Sequence, residues 1–265
     1  LMEEVQEKGL FEKYRMGSLT VSSRIGMAPL TRMRADPNDG VPTDMHVTYY
    51  SERAQDAAFV LTECSGICPK SQCFSGCCGI YSKEQVEGWK KVTSAVHEKG
   101  GKIILQIWHC GRSAHSSVIK ANPIAPSKIV NRGMARSITG ELKNCSEPDE
   151  MSKDDIKNIL NLFEQGAKNA LEAGFDGVQL HGANGYLVDN FLRDASNQRT
   201  DEYGGSVENR CRFPLEVMDK LISVFGAGRV GIKITPCGRL NDMFDSNPLE
   251  LCKYLLGELG KKRVA

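Results

Sequence analysis

The chain has 265 residues, and its 34 basic side chains nearly balance its 33 acidic ones. That balance gives no reason to expect a nucleic-acid or membrane partner, and no apolar run reaches the roughly 18 residues of a membrane-spanning helix. The amino end, from Met2 to Glu7, lacks the hydrophobic segment of a secretory signal. We therefore expect a soluble, cytoplasmic protein whose length fits one α/β barrel or two smaller domains.

The chain has ten cysteines, which could form disulfides, bind a metal or remain free thiols. Five of them lie close together in sequence, at Cys64, Cys68, Cys73, Cys77 and Cys78. Disulfides are rare in cytosolic proteins with a large apolar core. Structural zinc sites favour cysteine pairs separated by about two residues, and this cluster does not repeat that spacing. We therefore expect free thiols and no metal site.

Taken in order, the chain alternates strand and helix patterns after a short hairpin or loop around residues 16–19. Apolar runs predict strands at residues 25–31, 57–63, 102–108, 175–180 and 229–235. Helical spacing predicts helices at residues 44–55, 83–99, 187–194, 207–225 and 249–262, and one more from the capping box at Ser152 to about Gly174. Residues 109–151 read as irregular, and a connection of that length is usually functional.

Near-continuous apolar strands that alternate with helices indicate a parallel sheet covered by helices on its outer side. The stretch Gly226–Gly231 matches the glycine pattern of a dinucleotide-binding turn. That turn has to follow a strand and open a helix, whereas here a helix precedes and a strand follows. We therefore reject it as a phosphate site.

The hexapeptide His181-Gly-Ala-Asn-Gly-Tyr186 follows the fourth predicted strand, where α/β folds keep their chemistry. His181 and Asn184 are neutral hydrogen-bond donors three residues apart, so one turn would bring both to a single oxygen. Such a pair polarises a carbonyl, and Tyr186 would serve as a proton donor.

Further candidate site residues lie at the carboxyl ends of the other predicted strands. They are Thr31, Cys64, Gln106 with Trp108, and Lys233. An ammonium inside the apolar strand 229–235 needs an anionic partner, which is either a structural carboxylate or a bound cofactor with negative charge. An isoalloxazine ring fits the second alternative. Gln106 would pair with its pyrimidine edge, and Lys233 would stabilise the negative charge that reduction adds.

Five longer motifs resemble the Old Yellow Enzyme family, flavin-dependent ene reductases that include the plant oxophytodienoate reductases. The motifs are Met27-Ala-Pro-Leu-Thr-Arg-Met-Arg34, Tyr49-Tyr-Ser-Glu-Arg53, Gln106-Ile-Trp-His-Cys-Gly-Arg112, Gly177-Val-Gln-Leu-His-Gly-Ala-Asn-Gly-Tyr186 and Arg199-Thr-Asp-Glu-Tyr-Gly-Gly-Ser-Val-Glu-Asn-Arg210. The last two are the most specific.

The resemblance implies a TIM (β/α)8 barrel, of which residues 1–265 would form one incomplete flavin-binding domain with about five of the eight βα units. It implies FMN as cofactor, NAD(P)H as reductant and an α,β-unsaturated carbonyl compound as substrate, in a monomer or homodimer. His181 and Asn184 would hold the carbonyl oxygen, Tyr186 would protonate the α-carbon, and Trp108 would line the substrate pocket. The implied cofactor-binding residues are Pro29, Thr31, Cys64, Gln106 and Lys233.

Two departures from the family pattern are visible. Lys233 stands where the family usually has Arg, which keeps the charge but loses the two-pronged guanidinium. The three further βα units would need about 90 more residues at roughly 30 per unit, so we expect an incomplete sequence. A truncated, non-catalytic barrel fragment without the flavin phosphate site is the main alternative. A metal-dependent barrel enzyme using His109, His115 and His181 is a third.

Overall fold

A computed structural model describes residues 9–265 of the chain. Its strands are β1 (Tyr14–Met16), β2 (Leu19–Val21), β3 (Val60–Gly66), β4 (Cys78–Gly79), β5 (Ile103–Trp108), β6 (Ile124–Ala125), β7 (Met134–Arg136), β8 (Leu142–Asn144), β9 (Asp149–Glu150), β10 (Gly177–Gly182) and β11 (Val230–Ile234). Its α-helices are α1 (Asp44–Ala54), α2 (Lys83–Glu98), α3 (Ser116–Ile119), α4 (Lys153–Glu172), α5 (Leu187–Leu192), α6 (Val207–Phe225) and α7 (Pro248–Lys262), with 3₁₀ turns at Pro69–Ser71 and Ala227–Arg229.

The main sheet has five strands in the order β11-β10-β5-β3-β4, and all neighbouring strands run parallel. Each of the four longer strands is followed along the chain by a helix, so the predicted α/β alternation is confirmed. The register between β3 and β5 shifts between Leu61 and Cys64. This irregularity lies beside the candidate site, where such bulges redirect side chains.

The first predicted strand, residues 25–31, was wrong as a regular strand. Only Met27 bridges Val60 in the parallel sense, with the Met27 N–H donating to Phe59 at 2.9 Å and the Met27 carbonyl accepting from Leu61 at 3.1 Å. Pro29 then removes a ladder donor, so pairing does not extend past Met27. The segment still lies beside β3, where a first barrel strand belongs.

Most helix ends agree with the sequence because local capping determines them. In α4 the Ser152 hydroxyl accepts from the Asp155 N–H at 3.1 Å, and the Asp155 carboxylate accepts from the Ser152 N–H at 2.9 Å. This is the capping box that the sequence predicted. The 226–231 glycine stretch runs from the end of α6 through a 3₁₀ turn into β11, which confirms its rejection as a phosphate loop.

The two faces of the sheet differ in character. Alternate residues of β5 and β10, among them Leu105, Ile107 and Leu180, join the core under the helices, where Trp89 and Phe163 are fully buried. Since side chains alternate along a strand, Gln106, Trp108, Gln179 and His181 lie on the opposite, inner face. Within residues 9–265, no helix is both long and apolar enough to cross a membrane.

Two peripheral pairings organise the irregular region that the sequence left between residues 109 and 151. Strands β7 and β8 form an antiparallel hairpin, and β6 pairs with β9 in parallel. The N-terminal hairpin predicted around residues 16–19 is confirmed as β1 and β2. Residues 1–8 of that predicted segment lie outside the described part of the chain.

Candidate functional site

A row of polar side chains crosses the inner face of the sheet from β3 to β10. The strand register pairs Cys64 with Gln106 and Gln106 with Gln179. The Cys64 thiol donates to Gln106 Oε1 at 2.9 Å, and Gln106 Nε2 donates to Gln179 Oε1 at 2.7 Å. These two bonds leave the Gln106 amide one lone pair and one N–H for another group.

Gln179 is the member of this row that sequence reasoning missed. It lies two positions before His181 on β10, so strand alternation alone gives it the same facing. That signal was available in the sequence. The Gln106 contact could not be read from the sequence, because it depends on the register between β5 and β10.

Three rings meet above this row. The Trp108 and Tyr186 centroids are 4.5 Å apart and nearly perpendicular at 89°, and those of His181 and Tyr186 are 4.9 Å apart at 88°. His181 is also in register with Lys233 on the neighbouring strand. The structure therefore brings together four of the side chains that the sequence singled out.

The two titratable groups of this cluster are both held neutral. Burial, and then the nearby Lys233 ammonium, lower the pKa of His181 from 6.5 to about 3. Burial, followed by the Cys73 thiol group, raises the pKa of Tyr186 well above its ordinary value. His181 is thus a neutral imidazole and Tyr186 keeps its phenolic proton, as a hydrogen-bond donor and a proton donor require.

Two buried nitrogen atoms of the cluster are unused. Neither His181 Nδ1 nor Trp108 Nε1 has a hydrogen-bond partner within residues 9–265. Buried polar atoms are normally paired, so unpaired ones point to a group that the protein binds.

Asn184 does not share a helical turn with His181, and that part of the prediction was wrong. His181 belongs to β10, whereas Asn184 has a left-handed backbone with φ of 60°. Its side chain is half-buried, and its backbone is bonded to Thr235 and Asn241. The loop after β11, and not helical spacing, therefore determines where Asn184 lies.

The remaining predicted cofactor residues lie in β3 and in the segment beside it. Pro29 is half-buried and Thr31 is exposed, both in the irregular segment after Met27. The next residue, Arg32, donates its backbone N–H to the Glu63 carboxylate at 3.3 Å, which holds the segment beside β3. Cys64 is inside β3 rather than at its exit, because the strand continues to Gly66.

No carboxylate of residues 9–265 pairs with Lys233. Its side chain forms no ion pair with any residue between 9 and 265 at the 4.0 Å limit that defines the other ion pairs of the protein. Lys233 is half-buried rather than buried, so water can solvate its ammonium and the geometry does not by itself require a bound anion.

All ten cysteines lie within residues 9–265, and none of them is in a disulfide bond. Cys64, Cys73, Cys77 and Cys110 pack into one apolar cluster with Trp108, and Tyr186 lies against it. Burial raises the pKa of each of these thiols; that of Cys77 rises to about 12. Protonated thiols are poor nucleophiles, and these side chains pack behind Tyr186.

Within the described residues, one group of potential metal ligands lies close together: His46, Glu63 and Cys78. His46 Nε2 is 3.2 Å from Glu63 Oε1 and 3.4 Å from Cys78 Sγ. His46 Nδ1, however, accepts the Thr43 N–H at 3.0 Å, which leaves the ring proton on Nε2. A protonated Nε2 donates to Glu63 and cannot bind a metal, so this group is a buried hydrogen-bond network. His115, proposed above as a metal ligand, instead caps α3.

Comparison with known proteins agrees with this geometry. Residues 9–264 match the model of the NADH:flavin oxidoreductase / NADH oxidase family. The chain is 42% identical over 252 residues to a putative 12-oxophytodienoate reductase 2 of Oryza sativa subsp. japonica, covering 95% of this chain and 66% of the relative. It is 45% identical over 258 residues to a probable flavin mononucleotide-dependent alkene reductase of Leishmania infantum, covering 94% of this chain and 70% of the relative.

Solved structures of similar fold include morphinone reductase in complex with tetrahydroNAD, with a TM-score of 0.93 and 41% identity. The old yellow enzyme homologue from Zymomonas mobilis gives 0.94 and 39%. Each match covers 97% of this chain and 72% of the other. The fold is therefore that of the flavin-dependent TIM barrels, of which the chain has part. It spans 66% and 65% of the length of two of its rice relatives, just under two thirds.

Proposed function

Because the chain belongs to the NADH:flavin oxidoreductase / NADH oxidase family, we propose that the protein is an FMN-dependent enzyme. It uses NAD(P)H to reduce the carbon–carbon double bond of α,β-unsaturated carbonyl compounds. The observation that carries the proposal is the contact between His181 and Tyr186, whose ring centroids are 4.9 Å apart. It sets a neutral imidazole, with an unused buried nitrogen, beside a phenol that keeps its proton.

The residues of the inner face suit a flavin ring. Gln106 retains one acceptor and one donor beyond its bonds to Cys64 and Gln179, which matches an edge that alternates donors and acceptors. The Lys233 ammonium, which has no ion-pair partner among residues 9–265, suits the ring position that gains negative charge on reduction. Pro29 and Thr31 are proposed to complete the contacts from the segment beside β3. When bound, FMN supplies the hydride that it has received from NAD(P)H.

The protein's own residues act on the substrate. His181 and Asn184 hold the carbonyl oxygen, on which negative charge develops when the β-carbon is reduced. A donor aimed at such an oxygen contributes about 3 kcal/mol at the transition state. Tyr186 gives its proton to the α-carbon, and the ring of Trp108, in contact with both His181 and Tyr186, forms a wall of the substrate pocket.

The near-neutral charge supports a small-molecule substrate rather than a nucleic-acid or membrane partner. Ten free thiols are typical of a reducing compartment, which supports a cytoplasmic location. We propose a monomer or homodimer, a choice that light scattering of the purified protein decides.

The proposal is tested with Tyr186→Phe. Purified protein should be yellow, and NADPH should bleach it under anaerobic conditions. In the variant, reoxidation by 2-cyclohexenone should slow by about 100-fold or more, because the general acid is lost, while bleaching by NADPH keeps its rate. Tyr203→Phe is the matched control, since that phenol bonds to Glu216 away from the ring cluster.

Equal slowing of both half-reactions in Tyr186→Phe would contradict the proton-donor role. A colourless preparation that takes up no FMN would contradict the function and favour the alternative of a non-catalytic barrel fragment.

A further inference from the structure

The backbone of Asn184 is clamped at both ends of the residue. Its N–H donates to Thr235 Oγ1 at 3.1 Å, and its carbonyl accepts from Asn241 Nδ2 at 2.7 Å. The residue has φ of 60°, a left-handed conformation that costs a non-glycine residue about 1 kcal/mol. A strained backbone at a candidate binding residue persists only where its surroundings hold it.

The loop that provides Asn241 is itself anchored from several sides. The Asp242 carbonyl accepts from buried Arg112 at 2.9 Å. The Asp242 carboxylate receives two bonds from the Arg132 guanidinium, at 2.9 and 2.7 Å. Asn241 and Asp242 both have left-handed φ values of 59°. The position of the Asn241 amide is therefore determined by contacts outside the hexapeptide.

Thr235 is fixed as firmly on the other side. It directly follows β11, whose last residue, Ile234, is in register with Gly182. Buried Arg193 donates to the Thr235 carbonyl and, at 2.7 Å, to that of Pro236. The hydroxyl that receives the Asn184 N–H is thus held between the sheet and a buried guanidinium.

The turn at residues 184–185 also packs tightly against the loop after β11. A Cβ at Gly185 would lie 2.6 Å from Asn241 Cβ and 2.8 Å from Met243 Cγ. Gly185 itself has φ of 75°, which only glycine adopts at little cost. Residues 184–185 therefore cannot shift without displacing the loop after β11.

We propose that Thr235 and Asn241 are positioning residues for Asn184, so that the loop after β11 is part of the substrate-binding apparatus. This inference rests on the proposed function, in which the Asn184 amide holds the substrate's carbonyl oxygen. The direction of a side chain follows from the φ and ψ of its own residue. Rotation of Asn184 out of the left-handed region would break both backbone bonds and turn its amide away. Misplacement of a binding group by about 1 Å is enough to cost 100-fold in rate.

The test is a double-mutant cycle with 2-cyclohexenone as substrate of the FMN-loaded enzyme. Thr235→Val removes the acceptor at nearly constant volume, and Thr235→Ser keeps it. We expect Thr235→Val to lower kcat/KM at least tenfold, with kcat falling as well as KM rising, and Thr235→Ser to stay within twofold of wild type. In an Asn184→Ala background, Thr235→Val should change kcat/KM less than twofold. Asn241→Gly removes the side-chain amide, and glycine tolerates the left-handed φ at this position. It should lower kcat/KM in the wild-type background and change kcat/KM less than twofold in the Asn184→Ala background.

A loss of the same size with and without Asn184 would overturn the proposal, because Thr235 would then act through another group. If Asn184→Ala leaves kcat/KM unchanged, the role assigned to Asn184 fails together with its positioning. A second measurement is independent of activity: exchange of the Asn184 amide proton in D2O, followed by NMR. Thr235→Val should accelerate that exchange at least tenfold and Thr235→Ser should not. An amide that exchanges freely in wild type would overturn the clamp even in a protein with no enone reductase activity.

Discussion

Lys233 and His181 face each other across the register of β10 and β11. The ammonium and the burial of the imidazole act in the same direction, since both disfavour a charged His181. His109, buried elsewhere, shows the effect of burial alone, which also lowers its pKa to about 3. A comparison of these two histidines therefore distinguishes the effect of a nearby charge on the imidazole pKa from the effect of burial.

Replacement of Lys233 by Gln should raise the pKa of His181 because one repulsive charge is lost, while burial keeps the value below 6.5. The pKa of His109 should not change, and Lys233→Arg, which keeps the charge, should leave both histidines as in wild type. Side-chain NMR titration of the histidines measures this directly. A His181 pKa that is the same in Lys233→Gln and wild type would mean that the ammonium points away from the ring.

Strand alternation predicted the shared facing of Gln106 and Trp108. His181 was expected just after its strand, but β10 continues to Gly182 and includes it. The conformation of Asn184 was beyond this reasoning. Its partners Thr235 and Asn241 are 51 and 57 residues away in sequence, and no local pattern encodes such contacts. Local rules therefore found the residues of the site, but tertiary contacts determine its geometry.

Among the elements, the helices were the most predictable. α6 begins and ends where helical spacing placed it, and the other five predicted helices, α1, α2, α4, α5 and α7, differ by two residues or fewer at either end. Side chains next to each helix end determine where it stops, so the information is local. The segment around Met27 failed because a strand is defined by its neighbours, and only one residue of it pairs.

The capping box of α4 provides an element-scale prediction. Ser152→Ala removes the acceptor for the Asp155 N–H and should lower the free energy of unfolding by about 1 kcal/mol. Ser152→Thr keeps a hydroxyl at the cap and should lose much less. Urea unfolding followed by circular dichroism compares the three proteins. Equal stability of Ser152→Ala and wild type would show that the exposed cap contributes nothing to the folded state.

At the scale of the whole molecule, the strand order β11-β10-β5-β3-β4 follows the chain except for the short strand β4. The sequence indicated the parallel sheet through its alternation of strands and helices. It could not predict the strands at residues 124–150, because pieces of two or three residues carry no periodicity. Their pairing depends on the surface against which they pack.

Burial of His109 and His181 makes the folded molecule sensitive to acid. Both have folded-state pKa values lowered from 6.5 to about 3, so below pH 6.5 the unfolded chain binds protons that the folded chain does not. The contribution of these two histidines to the free energy of unfolding is therefore complete above pH 6.5, and it falls as the pH is lowered toward 3. Each histidine contributes a slope of up to about 1.4 kcal/mol per pH unit.

Between pH 7 and pH 5, the free energy of unfolding should accordingly fall less in His109→Gln than in the wild type. Urea unfolding at several pH values measures the difference, and His115→Gln, at the cap of α3, is the control with a half-buried histidine. An unchanged pH slope in His109→Gln would show that this imidazole is protonated in the folded protein.

The distribution of thiols has a practical consequence. Nine of the ten cysteines are buried or half-buried, and Cys237 alone is exposed. It lies two residues after Thr235, at the start of the loop that reaches Asn184. After replacement of the two half-buried cysteines, Cys68 and Cys252, a maleimide dye would attach there, and its fluorescence would follow, in real time, how that loop responds as ligands enter and leave.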